Sequence, residues 1–340
     1  MPDLTTPEGW LPLAFYGLMG LAVLIYVVLD GYDLGVGILL RRADEAQKDV
    51  MISSIGPFWD ANETWLVLGI GLLLVAFPIA HGVILTALYL PVAAMLLGLI
   101  LRGVAFDFRV KARAQQKPLW DSAFYGGSLI ASVAQGMMLG YTVTGFDTGW
   151  AATTFALFIG LSLSAGYCLI GAGWLLMKTE DELQLRAVRW ARNSLWLTGA
   201  GIAAVSIATP FVSERIFERW FSLPNLVLLA PIPITTAALF FIILLSLRRL
   251  DRRLRDGDEE GIWVPFACTV GIFILAFYGL AYSLFPYLVV DRLTMWEAAS
   301  APESLMIILI GTLIVLPAII GYTIYAYFVF WGKARELTYE

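Results

Sequence analysis

Long apolar stretches alternate with short polar segments along almost the whole chain. An α-helix of about 20 apolar residues is long enough to cross a lipid bilayer. Nine stretches reach this length, and we predict a membrane-spanning helix in each: 11–35, 58–77, 82–101, 121–141, 150–177, 194–212, 225–247, 262–286 and 303–331. No connecting segment is long enough for a soluble domain. The pattern therefore predicts an all-α polytopic membrane helical bundle that forms a single transmembrane domain over residues 1–340.

The composition agrees with a membrane protein. Of the 340 residues, 59% are hydrophobic and only 14% are charged, with a mean hydropathy of +0.79; a soluble domain has about 25% charged residues. The first ten residues contain no Lys or Arg, and the apolar stretch after them exceeds the roughly 7–15-residue core of a signal peptide. We therefore expect this stretch to be retained as the first span. The net charge of −5 gives no indication of binding to nucleic acid.

The basic residues predict the orientation, because the cytoplasmic segments of membrane proteins are enriched in Lys and Arg. Nearly all of them lie in alternate connecting segments, namely 36–57, 102–120, 178–193, 248–261 and the C-terminus with Lys333 and Arg335. The opposite segments hold only Arg215, Arg219 and Arg292 of the 22 basic residues. We therefore predict that the N-terminus is outside and the C-terminus is cytoplasmic.

Four carboxylates interrupt the first two apolar spans. Asp30 and Asp33 lie near the end of the first span, and Asp60 and Glu63 lie at the start of the second, so the predicted topology places all four on the cytoplasmic side. Carboxylates within a bilayer are costly and usually functional. The separation of three residues puts Asp60 and Glu63 on one helical face. An alternative is that these acids, Asp33 and Glu63 above all, only reach the cytoplasmic headgroups.

The sharper interpretation is a site where protons enter from the cytoplasm. A carboxylate in apolar surroundings can exchange protons near neutral pH, and chains of acids and hydroxyl groups relay protons in membrane proteins. Gly31, Gly35 and Gly37 would let another helix approach the acids closely. Side chains that could extend a hydrogen-bonded path are Ser53, Ser54, Asn62 and Thr64. A weakly bound cation held by the same oxygen atoms is an alternative.

The chain lacks the residues for a haem or zinc site of its own. His81 is the only histidine and is predicted in the external turn between the second and third spans, while Cys168 and Cys268 lie in separate spans, where we expect no disulfide. One His and two distant Cys cannot assemble a bis-His haem site or a zinc centre. The sequence also contains no Walker loop, dinucleotide fingerprint or nucleophile motif. If the protein takes part in redox chemistry, we expect another chain to hold the metal.

Four motifs resemble subunit II of the cytochrome bd family of quinol oxidases. They are DGYDLGVG at 30–37, SIGPFWDANETW at 54–65, RGVAFDFR at 102–109 and LTMWEAAS at 293–300, and they span almost the whole chain. The second motif is more similar to the branch often called cyanide-insensitive oxidases. Other members have His where this chain has Phe58, so position 58 lacks a group that could share protons.

The resemblance implies a heterodimer with a homologous subunit I. That subunit would hold two b-type haems and a third haem of d or b type, bind quinol and reduce oxygen to water in a bacterial-type cytoplasmic membrane. This chain would bind no haem in the catalytic path. Carried over by position, Asp30, Asp33, Trp59 and Asp60 fall on the motif linked to structural integrity and to a proton route. A quinone or lipid bound here as a structural filler and a small single-span accessory subunit are left open.

We therefore expect a subunit that braces subunit I and forms part of the path for cytoplasmic protons. Asp30 and Asp60 are predicted as the entry acids, and Asp33 and Glu63 as residues that tune them. Supporting residues are Trp59, Asn62 and Thr64.

Two other hypotheses stay open. A secondary transporter would use Asp30 and Asp60 as coupling-ion ligands and should show interrupted helices in two halves, whereas the glycines interrupt only one; a purely structural assembly subunit would carry no protons.

Overall fold

The computed structural model describes residues 2–334 and shows a bundle of α-helices with one small β-hairpin. In chain order the helices are α1 (Pro7–Leu39), α2 (Glu45–Ile55), α3 (Trp59–Ala76), α4 (Pro78–Ala87), α5 (Tyr89–Lys111), α6 (Lys117–Val143), α7 (Trp150–Lys178), α8 (Asp181–Val212), α9 (Glu214–Phe221), α10 (Asn225–Leu229), α11 (Pro231–Arg255), α12 (Val264–Leu284), α13 (Met295–Ala298) and α14 (Pro302–Val329). The strands β1 (Tyr287–Val289) and β2 (Leu293–Thr294) pair antiparallel immediately before α13. The prediction of an all-α helical bundle is confirmed.

Eight stretches of helix in the described residues are long and apolar enough to cross a membrane: α1, α3, α5, α7, α8, α10 together with α11, α12 and α14. Helix α6 contains the predicted fourth span, 121–141. Its 27 residues are long enough, but its glycine, serine and glutamine residues lower its hydropathy below that of the other eight. The ninth span therefore stays a prediction, as does the orientation of the termini. Arg335, which contributes to the predicted orientation, lies outside the described residues.

The third predicted span, 82–101, is wrong at both boundaries. The structure has the short helix α4 there, followed by α5, which continues well past the predicted end. Hydropathy treats charged residues as a loop signal, yet Arg102 and Arg109 lie inside α5 and are only 1% and 2% exposed. Ion pairs with neighbouring helices make this burial tolerable. His81, predicted in an external turn, is half-buried in α4 instead.

Helices also extend into other segments predicted as connections. Helix α8 begins well before the predicted span 194–212, and α2 forms within the predicted connecting segment 36–57. The first turns of α8 bury Leu183, Ala187 and Ala191, which lie four residues apart and therefore share one face. A helix with one apolar face can pack against the bundle even though its sequence is not apolar throughout, and hydropathy alone does not detect it.

The glycines of α1 allow close helix contacts, as predicted. A Cβ atom at Gly35 would lie 1.7 Å from the carbonyl oxygen of Tyr167 on α7, and one at Gly31 would lie 2.7 Å from the Tyr167 ring. A Cβ atom at Gly37 would lie 2.2 Å from the Ser128 hydroxyl on α6. Any larger residue at these positions would push α6 or α7 away. The glycines therefore bring two helices against the segment of α1 that carries its two acids.

The segment 293–300 closes the end of the bundle at which α1 begins. Thr294 and Glu297 form a capping box on α13, in which each side chain accepts a hydrogen bond from the backbone N–H of the other residue. The backbone N–H and the hydroxyl of Thr294 both donate to the Glu297 carboxylate and hold its pKa below the ordinary value. Trp296 donates to the Gly9 carbonyl at 3.0 Å, which ties this segment to the start of α1. We call this the α13 end of the bundle and the opposite end, where α1 leads into α2, the α2 end.

Candidate functional site

The two acids of α1 are completely buried. Asp30 and Asp33 are both 0% exposed, so the interpretation in which Asp33 only reaches the headgroups is wrong. Nη2 of Arg102, on α5, lies 2.7 Å from Oδ1 of Asp30. The direction of the N–H is not aligned with that oxygen, so the contact is an ion pair without a well-formed hydrogen bond.

Arg102 is the counter-ion of this site, and hydropathy alone places it in a loop. Its guanidinium group also pairs with the carboxylate of Glu63 on α3, whose side chain is 28% exposed. Glu63 thus lies at the edge of the group, and Asp30 lies inside. A sequence signal was available, because the residues after the predicted third span contain no proline before Pro118 and a helix could continue through them. We refer to Asp30, Asp33, Glu63 and Arg102 as the acid cluster.

Asp33 is bound by an amide that two tyrosines hold in place. The buried amide group of Asn62 donates to Oδ2 of Asp33 at 2.8 Å and to the Tyr32 hydroxyl at 2.9 Å. The hydroxyl of Tyr327, on α14, donates to Oδ1 of Asn62 at 3.2 Å and lies 2.5 Å from the Tyr32 hydroxyl. Tyr32 therefore donates to Tyr327, and the three groups form a closed ring of hydrogen bonds. The ring fixes the second N–H of Asn62 toward Asp33.

The acid cluster holds more negative charge than its one arginine can balance. The single guanidinium group pairs with two of the three carboxylates, those of Asp30 and Glu63, and Asp30 Oδ2 and Asp33 Oδ1 have no hydrogen-bond partner among the described residues. An uncompensated buried charge is costly. A proton bound to one of the carboxylates lowers that cost. The arrangement is therefore suited to the exchange of protons inside the bundle.

Asp60 and Thr64 do not join the acid cluster. Both are exposed on the first turns of α3, and the Thr64 hydroxyl donates to the Asp60 carbonyl at 3.3 Å. Asp60 and Glu63 are three residues apart, which is a rotation of about 300° around the helix. Their side chains therefore differ in direction by about 60°, so Asp60 lies outside while Glu63 points inward. The four acids therefore do not form one cluster, and the role of Asp60 as an entry acid stays a prediction. Trp59 packs on Phe106 of α5 with 5.1 Å between ring centres.

The polar residues around the acids differ from those predicted. Ser53 and Ser54 donate only to carbonyl groups of their own helix, α2, and so do not extend a path. A polar chain lies instead one turn before the first acid of α1. There Gln135 of α6 donates to the Tyr26 hydroxyl at 2.7 Å and accepts from the Tyr167 hydroxyl at 2.6 Å. These three residues come from different apolar helices, and no local sequence motif links them.

A second group of charged residues surrounds Arg109, two helical turns further along α5. Arg109 pairs with Asp49 of α2 and Asp121 of α6, and these two acids also pair with Lys117 at 3.1 Å and Lys48 at 3.0 Å respectively. Burial disfavours the charged form of Asp49, but the hydrogen bonds from Arg109 and Lys117 outweigh it and hold the pKa of Asp49 below its ordinary value. Lys48 also pairs with Glu45 at 2.6 Å, and we call these six residues the Arg109 cluster.

The whole chain is similar to proteins of one family. The family described as cytochrome bd terminal oxidase subunit II matches residues 11–330. The chain belongs to this family. Cytochrome bd ubiquinol oxidase subunit 2 of Bacillus subtilis (strain 168) is 29% identical over 325 residues, which cover 90% of this chain and 91% of the relative. Cytochrome bd-I ubiquinol oxidase subunit 2 of Escherichia coli (strain K12) is 25% identical and covers 94% of both chains.

The fold is also similar to that of a chain in the structure of bd oxidase from Geobacillus thermodenitrificans, with a TM-score of 0.74. The match covers 94% of this chain and 99% of that chain at 18% sequence identity. The membrane-embedded helical bundle described above is thus a fold of the cytochrome bd oxidases.

The described part of this cytochrome bd subunit II contains no cluster of side chains that could bind a metal ion. Within residues 2–334, no group of three or more His, Cys, Asp or Glu side chains could hold a metal ion. Cys168 and Cys268 are free thiols on α7 and α12. That the haem groups lie in another chain stays a prediction.

Phe58 is 1% exposed, and its ring centre lies 4.6 Å from that of Tyr327. The side chain at position 58 therefore packs in the interior of the bundle.

Proposed function

We propose that this chain is the haem-free subunit II of a quinol oxidase that reduces oxygen to water. In this proposal it braces a haem-bearing subunit I and carries cytoplasmic protons toward the place of oxygen reduction. Family membership supports the first part, and two relatives are named as subunits of ubiquinol oxidases. The observation that carries the proton route is the acid cluster, in which three carboxylates face one arginine inside the bundle.

The proposed route begins where α3 starts. Asp60 is exposed there, and Glu63, one turn later, is partly exposed, so water can deliver protons to both. Arg102 pairs with Glu63 and with Asp30, which holds the outer and inner carboxylates close together. An arginine does not give up its own proton. Its role is therefore to position the two carboxylates and to balance whichever of them is ionised.

Asp33 is the second buried acid of the route and lies about one turn nearer the α2 end than Asp30. It follows Asp30 by three residues and so lies on the same face of α1. Asn62 binds one oxygen of Asp33, while the other oxygen has no partner among the described residues. A proton that reaches Asp30 thus has a nearby acceptor. Trp59 supports the route by packing the start of α3 against α5 through Phe106, and Thr64 lies at the exposed entrance of the route.

The partner subunit would use these protons. Reduction of oxygen to water consumes protons as well as electrons, and haem groups, which we place in subunit I, would supply the electrons. Quinol would also bind to subunit I. With the N-terminus outside, the α2 end and the acid cluster lie on the cytoplasmic side of a bacterial inner membrane, from which the protons are taken.

Asp30→Asn and Asp33→Asn in the assembled complex test the route. Asn has a similar size but holds no exchangeable carboxyl proton. We expect quinol-driven oxygen uptake per haem to fall at least about tenfold, which corresponds to about 1.4 kcal/mol in the barrier, while the haem absorption spectrum is unchanged. Asp256→Asn changes an exposed acid at the end of α11 and is the matched control, with an unchanged rate.

Three other results have distinct meanings. Undiminished uptake in both variants would rule out the route through the acid cluster. Loss of haem or of the partner subunit would support the purely structural hypothesis, in which the buried ion pairs only hold the bundle together. Purification of the wild-type chain without a haem-bearing partner would support the transporter hypothesis. The absorption spectrum of the purified material therefore separates these hypotheses before any rate is measured.

A further inference from the structure

Helix α14 lies at the periphery of the bundle and is held mainly near its two ends. Side chains along its middle are largely exposed, for example Ile310 at 57% and Leu313 at 65%. Leu305 near its start and Ala326 near its end are buried. At the α2 end, the hydroxyl of Tyr327 reaches the ring of hydrogen bonds beside the acid cluster. The contacts of the last turn of α14 therefore determine where that hydroxyl lies.

A lysine from another helix caps this last turn. Lys178, the final residue of α7, is only 7% exposed, and its Nζ donates to the carbonyl oxygen of Phe330 at 2.8 Å. Phe330 is the C-terminal cap of α14. The last carbonyl groups of a helix lack partners within it and form the negative end of the helix dipole. An ammonium group at this position satisfies a carbonyl group and balances the dipole.

Aromatic rings connect the ammonium group to the tyrosine ring system. Nζ of Lys178 lies 5.2 Å from the ring centre of Phe58 and 5.0 Å from that of Trp174, which are cation–π distances. The Phe58 ring lies against Tyr327 with 4.6 Å between centres, and the Trp174 ring stacks on Tyr32 at 4.2 Å. The same two rings thus contact both the ammonium group and the two tyrosines.

The residues that follow α14 strengthen this attachment. The backbone N–H of Ala334 donates to the carbonyl of Lys178 at 2.7 Å. Lys333 donates to the carbonyl of Thr179 at 2.9 Å and pairs with Glu259 at 2.6 Å. The end of α14 is therefore bound to the end of α7 by side-chain and backbone contacts centred on Lys178.

The position of Tyr327 controls the Asn62 amide. Tyr327 lies one turn before the cap. Among the described residues, its hydroxyl is the group that donates a hydrogen bond to Oδ1 of Asn62. Without it the amide could turn over and present its oxygen to Asp33. Asp33 would then face an acceptor in place of a donor, which is unfavourable for an ionised carboxylate.

We infer that Lys178 is a positioning residue for the proton route. By capping α14 it holds Tyr327, and through Tyr327 the Asn62 amide, in the orientation that donates to Asp33. The effect on turnover rests on the proposed function. The attachment of α14 by Lys178 does not rest on it, and the two can be tested separately.

Three variants and two matched controls test the inference in the assembled complex. Lys178→Met removes the donor and keeps an apolar stem, Lys178→Arg keeps a cationic donor, and Tyr327→Phe removes only the hydroxyl. The controls are Lys111→Met, at an exposed lysine that ends α5, and Tyr325→Phe, at a tyrosine of α14 that is 64% exposed.

We expect Lys178→Met and Tyr327→Phe each to lower oxygen uptake per haem by about three- to tenfold, the range that loss of one hydrogen bond produces. Both should displace the pH profile of turnover in the same way. Lys178→Arg should restore the wild-type profile, and the controls should leave it unchanged. The double variant should be no slower than the slower single variant, because both changes act through Asn62. An unaltered pH profile in Lys178→Met, or fully additive effects, would overturn the inference.

Hydrogen exchange separates the cap from the proton route. In the intact complex, Lys178→Met should accelerate amide exchange in residues 322–334, and Lys111→Met should not. If Asp30→Asn and Asp33→Asn leave turnover intact, the proton route fails, whereas faster exchange in Lys178→Met still supports the cap. Unchanged exchange in Lys178→Met contradicts the cap whatever the turnover.

Discussion

Two clusters of charged side chains share helix α5 but differ in their balance. The Arg109 cluster is balanced, with three cations facing three acids: Arg109, Lys48 and Lys117 against Asp49, Asp121 and Glu45. Its outer members are partly exposed, for example Asp49 at 36%. The acid cluster lies two turns deeper along α5 and has one arginine for three carboxylates, two of them with no exposure at all.

The difference separates two uses of buried charge. A balanced cluster needs nothing from solvent, and in the Arg109 cluster it joins α2, α5 and α6. A cluster with surplus negative charge is stable inside a bundle only when it takes up positive charge. Buried charge alone therefore does not indicate a proton route. Our proposal of a proton route rests on the surplus of carboxylates, together with their oxygen atoms that lack partners among the described residues.

Replacement of Arg102 should have the largest effect. Removal of one partner from a buried ion pair costs about 3–5 kcal/mol, because the remaining charge is left uncompensated. In Arg102→Met we expect loss of most assembled, haem-containing complex, measured by absorption spectrum and thermal unfolding. Addition of Asp30→Asn and Glu63→Gln should recover part of the stability, since the paired charges are then gone. If the triple variant were no more stable than Arg102→Met, the charge surplus would not be the cause.

Replacement of Arg109 should damage stability but leave turnover unchanged. Arg109→Met breaks two ion pairs, and we expect a loss of about 2–3 kcal/mol, less than at Arg102 because solvent screens the partly exposed Asp49. Thermal unfolding measures this loss, and oxygen uptake per remaining haem measures turnover. A fall in turnover per haem as large as in Asp33→Asn would contradict the division between the two clusters.

The Arg109 cluster should also contribute a pH-dependent stability. The pKa of Asp49 is lower in the folded protein than in the unfolded chain. Its ion pairs therefore stabilise the fold fully above about pH 4 and lose this contribution as pH falls through the folded pKa. We expect the melting temperatures of the wild type and Asp49→Asn to differ at pH 7 and to converge in acid. A constant difference down to the lowest accessible pH would show that the pairing is not responsible.

Asp60→Asn should have the smallest effect. Asp60 lies outside the acid cluster, and water can reach Glu63 directly, so oxygen uptake should fall by no more than about twofold, or about 0.4 kcal/mol in the barrier. Combination with Glu63→Gln should lower it further, because both entry acids are then absent. A tenfold loss from Asp60→Asn alone, with haem content preserved, would make Asp60 an essential part of the route and would correct its assignment here.

Much of the fold follows from apolar stretches in the sequence, because a membrane-spanning helix needs a continuous apolar surface. The predicted spans 150–177 and 58–77 differ from α7 and α3 by at most one residue at each end. The errors occur at α5 and α8, where charged residues lie inside helices. At α5 the charges are compensated by acids from other helices, and a hydropathy profile contains no information on such tertiary pairs.

The candidate site was predictable in part. Asp30 and Asp33 stand out because apolar sequence surrounds them on both sides, and Asn62 is adjacent to an acid at the start of the next span. Arg102 could have been inferred, since buried acids require a cation. Tyr327 and Lys178 lie far from these residues in sequence and are brought to the site only by the packing of α14 and α7. No pattern along the chain predicts that contact.

The most direct test of the proton route is the rate of proton uptake from the cytoplasmic side when the reduced complex reacts with oxygen. Asp33→Asn and Arg109→Met should be compared with the wild type in samples with matching haem spectra. The account predicts that uptake slows at least about tenfold in Asp33→Asn and keeps its wild-type rate in Arg109→Met. A wild-type rate in Asp33→Asn would contradict it.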